Sequence, residues 1–352
     1  MKRGVHPVLA GRNAASLDSL AVELGGNLET AVADVSRPES VRALISRGDV
    51  LVSTVGPFVR WGAPAVDAAI AAGAAYLDST GEPPFIRDVF ERYDGPARAA
   101  GCGLVTAFGY DWVPGNLAGA LALERAGESA VKIAVGYFMS GRANPREAMS
   151  GGTLASLTGV LLSPHFTFRD GRIVTERSAK RVRTFAAGGK QLAGVSVGSS
   201  EHFALPKLYP QLREVDAYLG WFGPASRAMQ VLSFAGELPG VNSGVQKLGQ
   251  RFVKGSTGGP DEAARSRTGS LIVAEAYNAV GTLLARVELR GPNGYTFTGE
   301  VLAWGARQAL EQGFRATGAL GPVEAFGLRE LEAGCAEIGL VKAGAGATTA
   351  TG

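Results

Sequence analysis

From residue 5 to residue 126 short apolar runs and helical patterns take turns along the chain, and this alternation leaves few folds open. Residues 5–10, 30–33, 49–55, 74–78 and 103–107 read as strands. The run 49–55 is nearly continuously apolar, the mark of a strand covered on both faces. Residues 14–24 carry Leu17, Leu20, Ala21 and Leu24 at helical spacing and stop at Gly25-Gly26. Ser36-Arg37-Pro38-Glu39 starts the next helix with a Ser cap, a Pro in the first turn and an acid near the N-terminus. Residues 63–72, 85–93 and 114–126 supply the others. Strands separated by helices at this spacing predict an α/β fold with a parallel, doubly wound sheet and right-handed crossovers.

Ligands of such sheets bind outside the carboxyl ends of the strands, so the residues that follow each strand are the candidates. Gly11-Arg12-Asn13 closes the strand 5–10. The planar fork of Arg12 matches a ribose 2′-phosphate, which points to NADP(H); an exposed Arg in an ordinary turn is the plain alternative. Asp34 is placed to accept from an adenine amino group or to cap the Ser36 turn. In Thr54-Val55-Gly56-Pro57-Phe58, Gly56 permits close approach of a ribose or nicotinamide, Pro57 fixes the turn and Phe58 walls the pocket. Thr80 and Glu82, and Tyr110 and Asp111, follow the next two strands and face the same crevice. Tyr110 is the candidate proton donor, and Asp111 or Glu82 would orient substrate; helix caps and polar rim residues explain each equally simply.

A ribose reader normally stands about 20 residues after a glycine-rich fingerprint. Only Met1 to Gly4 precede the strand that Arg12 follows. The chain is therefore expected to open on the second strand of a dinucleotide-binding sheet, without the first βα unit. Strands 5–10 and 50–55 should then flank an open slot roughly 9–10 Å wide instead of pairing at about 4.8 Å.

The pattern changes near residue 129. A strand at 131–138, a hairpin over 168–174 with its Asp170-Gly171 turn, and paired strands at 271–277 and 283–289 predict an α+β second domain with an antiparallel sheet. Tyr295-Thr296-Phe297 reads as a further short strand. Gly151-Gly152-Thr153 opens a helix through residue 162, residues 205–252 hold two or three helices, and 253–267 form a loop. The helix 300–311 should return to the first domain. The expected organisation is 1–128, 129–298, 299–340 and a disordered tail 341–352, whose Gly344-Ala345-Gly346 precedes no helix and is a poor phosphate loop.

Composition narrows the function classes. The 352 residues are 46% apolar and 19% charged, enough to bury a core in two domains. A net charge of +3, with no aromatic residues interleaved in a basic stripe, argues against nucleic acid. His6, His165 and His202 lack metal-ligand spacing, and Cys102 and Cys335 read as buried thiols of a reducing cytoplasm. No signal peptide or apolar run of spanning length is visible. Two segments leave partners open. The basic run Arg177, Lys180, Arg181, Arg183 is a solvated strand face or an acyl-carrier contact, and the amphipathic stretch 225–252 is core, lid or a peripheral membrane contact.

Ala10-Gly11-Arg12-Asn13, Ser53 to Phe58, Tyr76 to Glu82 and Gly109 to Gly115 follow one another in an order and spacing that resembles the saccharopine dehydrogenase-like oxidoreductases, in the bacterial branch that includes trans-acting enoyl reductases. The resemblance is strongest from Val8 to Leu121. It implies an NADP(H)-binding Rossmann domain and an α+β domain with the nicotinamide between them. By resemblance Arg12 reads the 2′-phosphate, Thr54 to Phe58 lie under the nicotinamide ribose, Tyr110 and Asp111 stand near the reacting face, and Gly151, Gly152 and Thr153 line the substrate side. The implied reaction is hydride transfer to an enoyl or imine-type acceptor on a small-molecule or acyl-chain substrate, in lipid or glycolipid metabolism. The departure at the start of the chain, where members carry the pyrophosphate-binding loop, leaves a cofactor-free scaffold or a non-functional fragment as the alternative.

Overall fold

The computed structural model describes residues 5–26, 28–141, 164–221, 226–235 and 261–343. Within it, the early alternation builds two pieces of parallel sheet. β1 (Leu9–Gly11) pairs with β2 (Thr30–Val32), joined by α1 (Ala14–Glu23). α2 (Pro38–Arg42) leads to β3 (Val50–Ser53), α3 (Phe58–Trp61) and α4 (Ala63–Ala72). β4 (Ala75–Asp78), α5 (Pro83–Asp88), a π-helical turn, α6 (Asp94–Ala100) and β5 (Gly103–Val105) follow. β3, β4 and β5 pair in parallel.

β1 and β3 do not pair; among the described residues β1 has only β2 beside it and β3 only β4. A direct β1–β3 ladder is thus absent among the described residues, as the expectation requires. Val52 and Val55 are exposed, where a strand covered on both faces would bury them. Side chains hold the two pieces together instead: Ala33 after β2, Val41 of α2 and Ala68 of α4 form a small buried cluster with Val35 and Leu44.

α7 (Val113–Ala126) is buried from Val113 to Leu123. A helix apolar on all sides belongs inside the molecule, and α7 packs against both β12 and β13 of the second sheet as well as α12 and α13. That second sheet is built from β6 (Lys132–Gly141), β7 (Pro164–Arg169), β8 (Arg172–Arg177), β9 (Val182–Ala187) and β10 (Lys190–Val197). After α8 (Glu201–Leu208) it continues with β11 (Glu214–Leu219); after α9 (Ser226–Ala235) and α10 (Glu262–Ser266) come β12 (Thr268–Tyr277) and β13 (Leu283–Pro292). α11 (Gly294–Gln312), β14 (Gly318–Ala319), α12 (Pro322–Phe326), α13 (Leu328–Glu337) and β15 (Val341–Lys342) complete the chain. The strand order is β15-β13-β12-β6-β11-β10-β9, with β7 against β11 and β8 against β7.

Four expectations need correction. The sheet is mixed, because β11 runs parallel to β6 at its centre. Residues 214–219, expected within a helical stretch, form that central strand; alternate burial of Val215, Ala217 and Leu219 outweighs local propensity. Tyr295-Thr296-Phe297 is not a strand, because the Asn293 side chain accepts from the Tyr295 amide and caps α11 there. Val341–Lys342 pairs with β13, so the ordered chain runs past 340. The Asp170-Gly171 turn is as expected, with both residues at positive φ between Arg169 and Arg172 of the hairpin. The return to the first domain is also realised: α11 packs on β3 and β4, and β14 extends the parallel sheet beside β5. The predicted helix 151–162 and the Gly344-Ala345-Gly346 tail lie outside the described residues, as does most of 225–252.

Candidate active site

The loops after β3, β4 and β5 are tied into one rim. The Glu82 carboxylate, after β4, accepts from the amides of Phe58 and Val59 at the start of α3, at 2.8 and 3.0 Å. Gly81 lies against Asp111, after β5: a β-carbon at 81 would come within 2.8 Å of Asp111 Oδ2. Asp78, at the end of β4, is fully buried and clasps the loops together. Its Oδ1 accepts from the amides of Thr80 and Ala107 (2.9 Å each) and its Oδ2 from Thr106 Oγ1 (2.7 Å).

Tyr110 and Asp111 stand on this rim. The Tyr110 amide donates to Thr298 Oγ1 of α11 (2.9 Å), and the phenol donates to the Phe138 carbonyl (3.4 Å). The Tyr110 ring stacks near Trp221 and meets Tyr137 edge-on. Burial, with Asp111 beside it, pushes the Tyr110 phenol far above its usual range. Asp111 as a residue is half-buried, but its Oδ1 is closed to solvent and has no hydrogen-bond partner. Burial raises its carboxyl to about 7.

The adenosine side of the fold is formed by β1 and β2. Gly11 ends β1, its carbonyl accepting from Ala33. Arg12 is exposed, and its charge lies close enough to help hold the Asp34 carboxyl below its ordinary value, mainly a result of the amide and hydroxyl of Ser36. Thr54, Val55, Gly56 and Pro57 are exposed after β3, while Phe58 is buried as the first residue of α3. These residues fit a dinucleotide in part: a free guanidinium beside a carboxyl at β1–β2, and an open, small-residue turn after β3.

Several candidates take other roles. Asn13 caps α1, accepting from the Ser16 amide, and Asp34 caps the Ser36 turn. Thr80 is buried, its hydroxyl accepting from the Glu82 amide, and Glu82 closes the start of α3, so both shape the loop. Gly151, Gly152 and Thr153 lie outside the described residues. The basic run is compensated within the chain: Arg177 donates to Ser233 Oγ and the Gln230 carbonyl, Arg181 pairs with Glu176 and Asp216, Lys180 with Glu176, and Arg183 with Glu275 between the rings of Phe185 and Tyr277. No metal-holding group of His, Cys, Asp or Glu exists among the described residues, and none of their helices is long and apolar enough to cross a membrane.

Two functional-looking residues escaped the sequence, whereas Asp78 stands there in the crevice-facing stretch that runs to Glu82, without the clasp it forms. Tyr137 on β6 and Glu201 at the head of α8 are distant in sequence, yet Tyr137 Oη donates to Glu201 Oε1 at 2.5 Å. Burial holds Glu201 up at about 7 against the Tyr137 bond that lowers it, and Asp78 up at about 6 against the Ala107 and Thr80 amides.

These shifts set a pH dependence. The folded chain keeps protons on Asp78, Asp111 and Glu201 that the unfolded chain gives up above the ordinary carboxyl range. Their contribution to stability therefore falls as pH rises from about 4 to about 7. His165 and His202, which burial depresses to about 4, act oppositely and lose stability as pH falls below about 6.5. Glu201→Gln removes one carboxyl term. Relative to the parent, the variant should gain up to about 3 kcal/mol between pH 5 and pH 8, read from urea midpoints. A stability difference that does not change with pH would contradict a proton held by burial.

Residues 2–105 match the family described as saccharopine dehydrogenase NADP binding domain. Over this segment the chain is similar to that family. The match spans β1 to β5 and the loops after β1 to β4, and ends before Tyr110 and Asp111. A relative from Mycobacterium tuberculosis is 37% identical over 162 residues, 44% of this chain and 37% of the relative. The trans-acting enoyl reductase of Mycobacterium leprae is 38% identical over 112 residues, 31% of this chain and 27% of that protein. The aligned part is therefore well under half the length of these relatives. Among solved structures, apo saccharopine dehydrogenase (L-Glu forming) from Saccharomyces cerevisiae superposes with a TM-score of 0.58 at 13% identity, covering 96% of this chain and 93% of that one. The fold, including the mixed second sheet, is that of saccharopine dehydrogenase.

Proposed function

We infer that this protein is an NADPH-dependent reductase acting on the carbon–carbon double bond of an enoyl acyl chain in lipid or glycolipid metabolism. The observation that carries the reading is Asp111: a carboxyl with an unpartnered, solvent-shielded oxygen, on the rim of a sheet whose strands β3 to β5 lie in the stretch similar to the NADP binding family. The name of the mycobacterial relative supports an enoyl acceptor over an imine. Arg12 would pair with the 2′-phosphate, and the turn Thr54 to Pro57 would face the nicotinamide ribose. Bound NADPH supplies the hydride. Reduction of a double bond also consumes one proton, and Asp111, which burial keeps protonated near neutrality, is the group placed to give it. Tyr110 and Trp221 wall the site and help exclude water. A peripheral membrane contact through 225–252 is tested by liposome co-sedimentation.

The experiment is a fluorescence titration with NADPH and NADH. Arg12→Ala should weaken NADPH about 10–100-fold and leave NADH nearly unchanged, the worth of one charge-assisted bond. Equal loss for both nucleotides would remove Arg12 from the 2′-phosphate. One observation favours a second reading, a cofactor-free scaffold: Glu82 occupies the amides of Phe58 and Val59, the helix start nearest the cleft, where an anion would otherwise bind. Absence of NADPH binding by the parent chain would select that reading.

A further inference from the structure

Tyr137 has one phenolic proton and two acceptors for it. Its Oη lies 2.5 Å from Glu201 Oε1 and 3.2 Å from the Trp112 carbonyl oxygen, and it accepts from the Gly115 amide at 2.8 Å. When Glu201 is ionised, the phenol donates to the carboxylate. When Glu201 carries its own proton, that proton points at Tyr137 and the phenol turns to Trp112. Both arrangements satisfy every polar atom of the group except Glu201 Oε2, which is buried without a partner. The Trp112 carbonyl and the Gly115 amide flank the turn that carries Asp111, and the Tyr110 amide pins its other side to Thr298. The turn is thus held at both ends by hydrogen bonds while the Asp111 carboxyl between them has none on Oδ1. Asp111 lies near enough to act electrostatically on both Tyr137 and Glu201.

We propose that Tyr137 and Glu201 are positioning residues for Asp111: their hydrogen bonds fix the turn that presents its carboxyl, and ionisation of one carboxyl opposes ionisation of the other. The proposal deepens the reading of Asp111 as the site's acid and rests on it only for that role. Two carboxylates in one apolar setting resist ionising together; burial raises Asp111, and the charge of Asp111 is among the causes that raise Glu201. The groups facing Glu201 are Tyr137 on β6, Asp111 before α7 and Ser199 ahead of α8. His202, next along α8, is turned to Ser199, and the charges of Asp216 on β11 and of His165 and Arg169 on β7 act on it. Lys207 at the far end of α8 pairs with Asp94 and with Glu324 of α12.

The test is a carboxyl titration of the whole chain without cofactor, by carbon NMR with label in Asp and Glu side chains, Asp111→Asn identifying the Asp111 signal. Glu201→Gln keeps an acceptor for Tyr137 and should lower the Asp111 midpoint by about one pH unit. Tyr137→Phe should lower it less, because Glu201 then loses the bond that favours its charge. Coupling is reciprocal in free energy, so Asp111→Asn should in turn lower the Glu201 midpoint. Asp111→Asn alters a side chain with no hydrogen bond on Oδ1, which keeps a folded variant available if Glu201→Gln does not fold. Unmoved midpoints in the folded variants would overturn the proposal. Because no nucleotide is present, failure to bind NADPH would remove the reductase reading and leave this coupling standing or falling by itself.

Discussion

Asp78→Ala should lower the free energy of unfolding by about 3–5 kcal/mol at pH 7. The truncation leaves the amides of Thr80 and Ala107 and the hydroxyl of Thr106 facing an apolar void, and each unsatisfied buried donor costs about 1–3 kcal/mol. Part of that is offset, since the fold no longer buries a carboxyl that resists ionisation. The clasp also holds Ala107 at φ 58, a left-handed backbone that a non-glycine residue adopts at a cost of about 1–2 kcal/mol. Asp78→Asn should be far milder, about 1 kcal/mol: its carbonyl still accepts from both amides, and the Thr106 hydroxyl turns to accept from the new amide group. Urea unfolding of the two variants measures the difference. A loss below about 1 kcal/mol for Asp78→Ala would mean that the loops after β4 and β5 are held by something else.

Gly115→Ala and Gly299→Ala should have opposite signs. Both glycines sit in helices, where alanine is favoured by about 1 kcal/mol. At Gly115, in the first turn of α7, the new methyl group would overlap Tyr137 Oη and Glu201 Oε1. Neither atom can retreat, because both are fully buried and bonded to each other. Overpacking together with loss of the Gly115–Tyr137 and Tyr137–Glu201 bonds should destabilise by about 2–4 kcal/mol. At Gly299, exposed on α11, a methyl group meets nothing within 4 Å, and the protein should gain about 0.5–1 kcal/mol. Thermal and urea unfolding of the pair tests whether the Tyr137–Glu201 contact is as tight as the geometry requires; stabilisation by both would refute it.

The α/β alternation, the strand ends and the absence of a β1–β3 ladder were legible before any coordinates. Apolar runs of four to seven residues separated by helical spacing admit essentially one architecture, and a parallel strand carries its ligand-facing residues at a known end. Arg12, Thr54 to Pro57 and Asp111 followed from that rule. The same rule picked out Glu82, Thr80 and Asn13, which bond amides of the surrounding loops, because a polar residue after a strand serves equally well to satisfy such amides. Nothing within the chain's local pattern distinguishes an Asp that caps a turn, as Asp34 does, from one left without a partner, as Asp111 is.

By itself the sequence determined the order of elements, the parallel hand of the first sheet and the places where a nucleotide could be met, because these depend on periodicity and short-range sterics. The tertiary structure alone decided which acids are paired, which are buried and protonated, and that Tyr137 and Glu201 meet behind Asp111. Their contact spans 64 positions of chain, and burial, which sets the charge of all three carboxyls, is a property of the packed interior that no local stretch of residues contains.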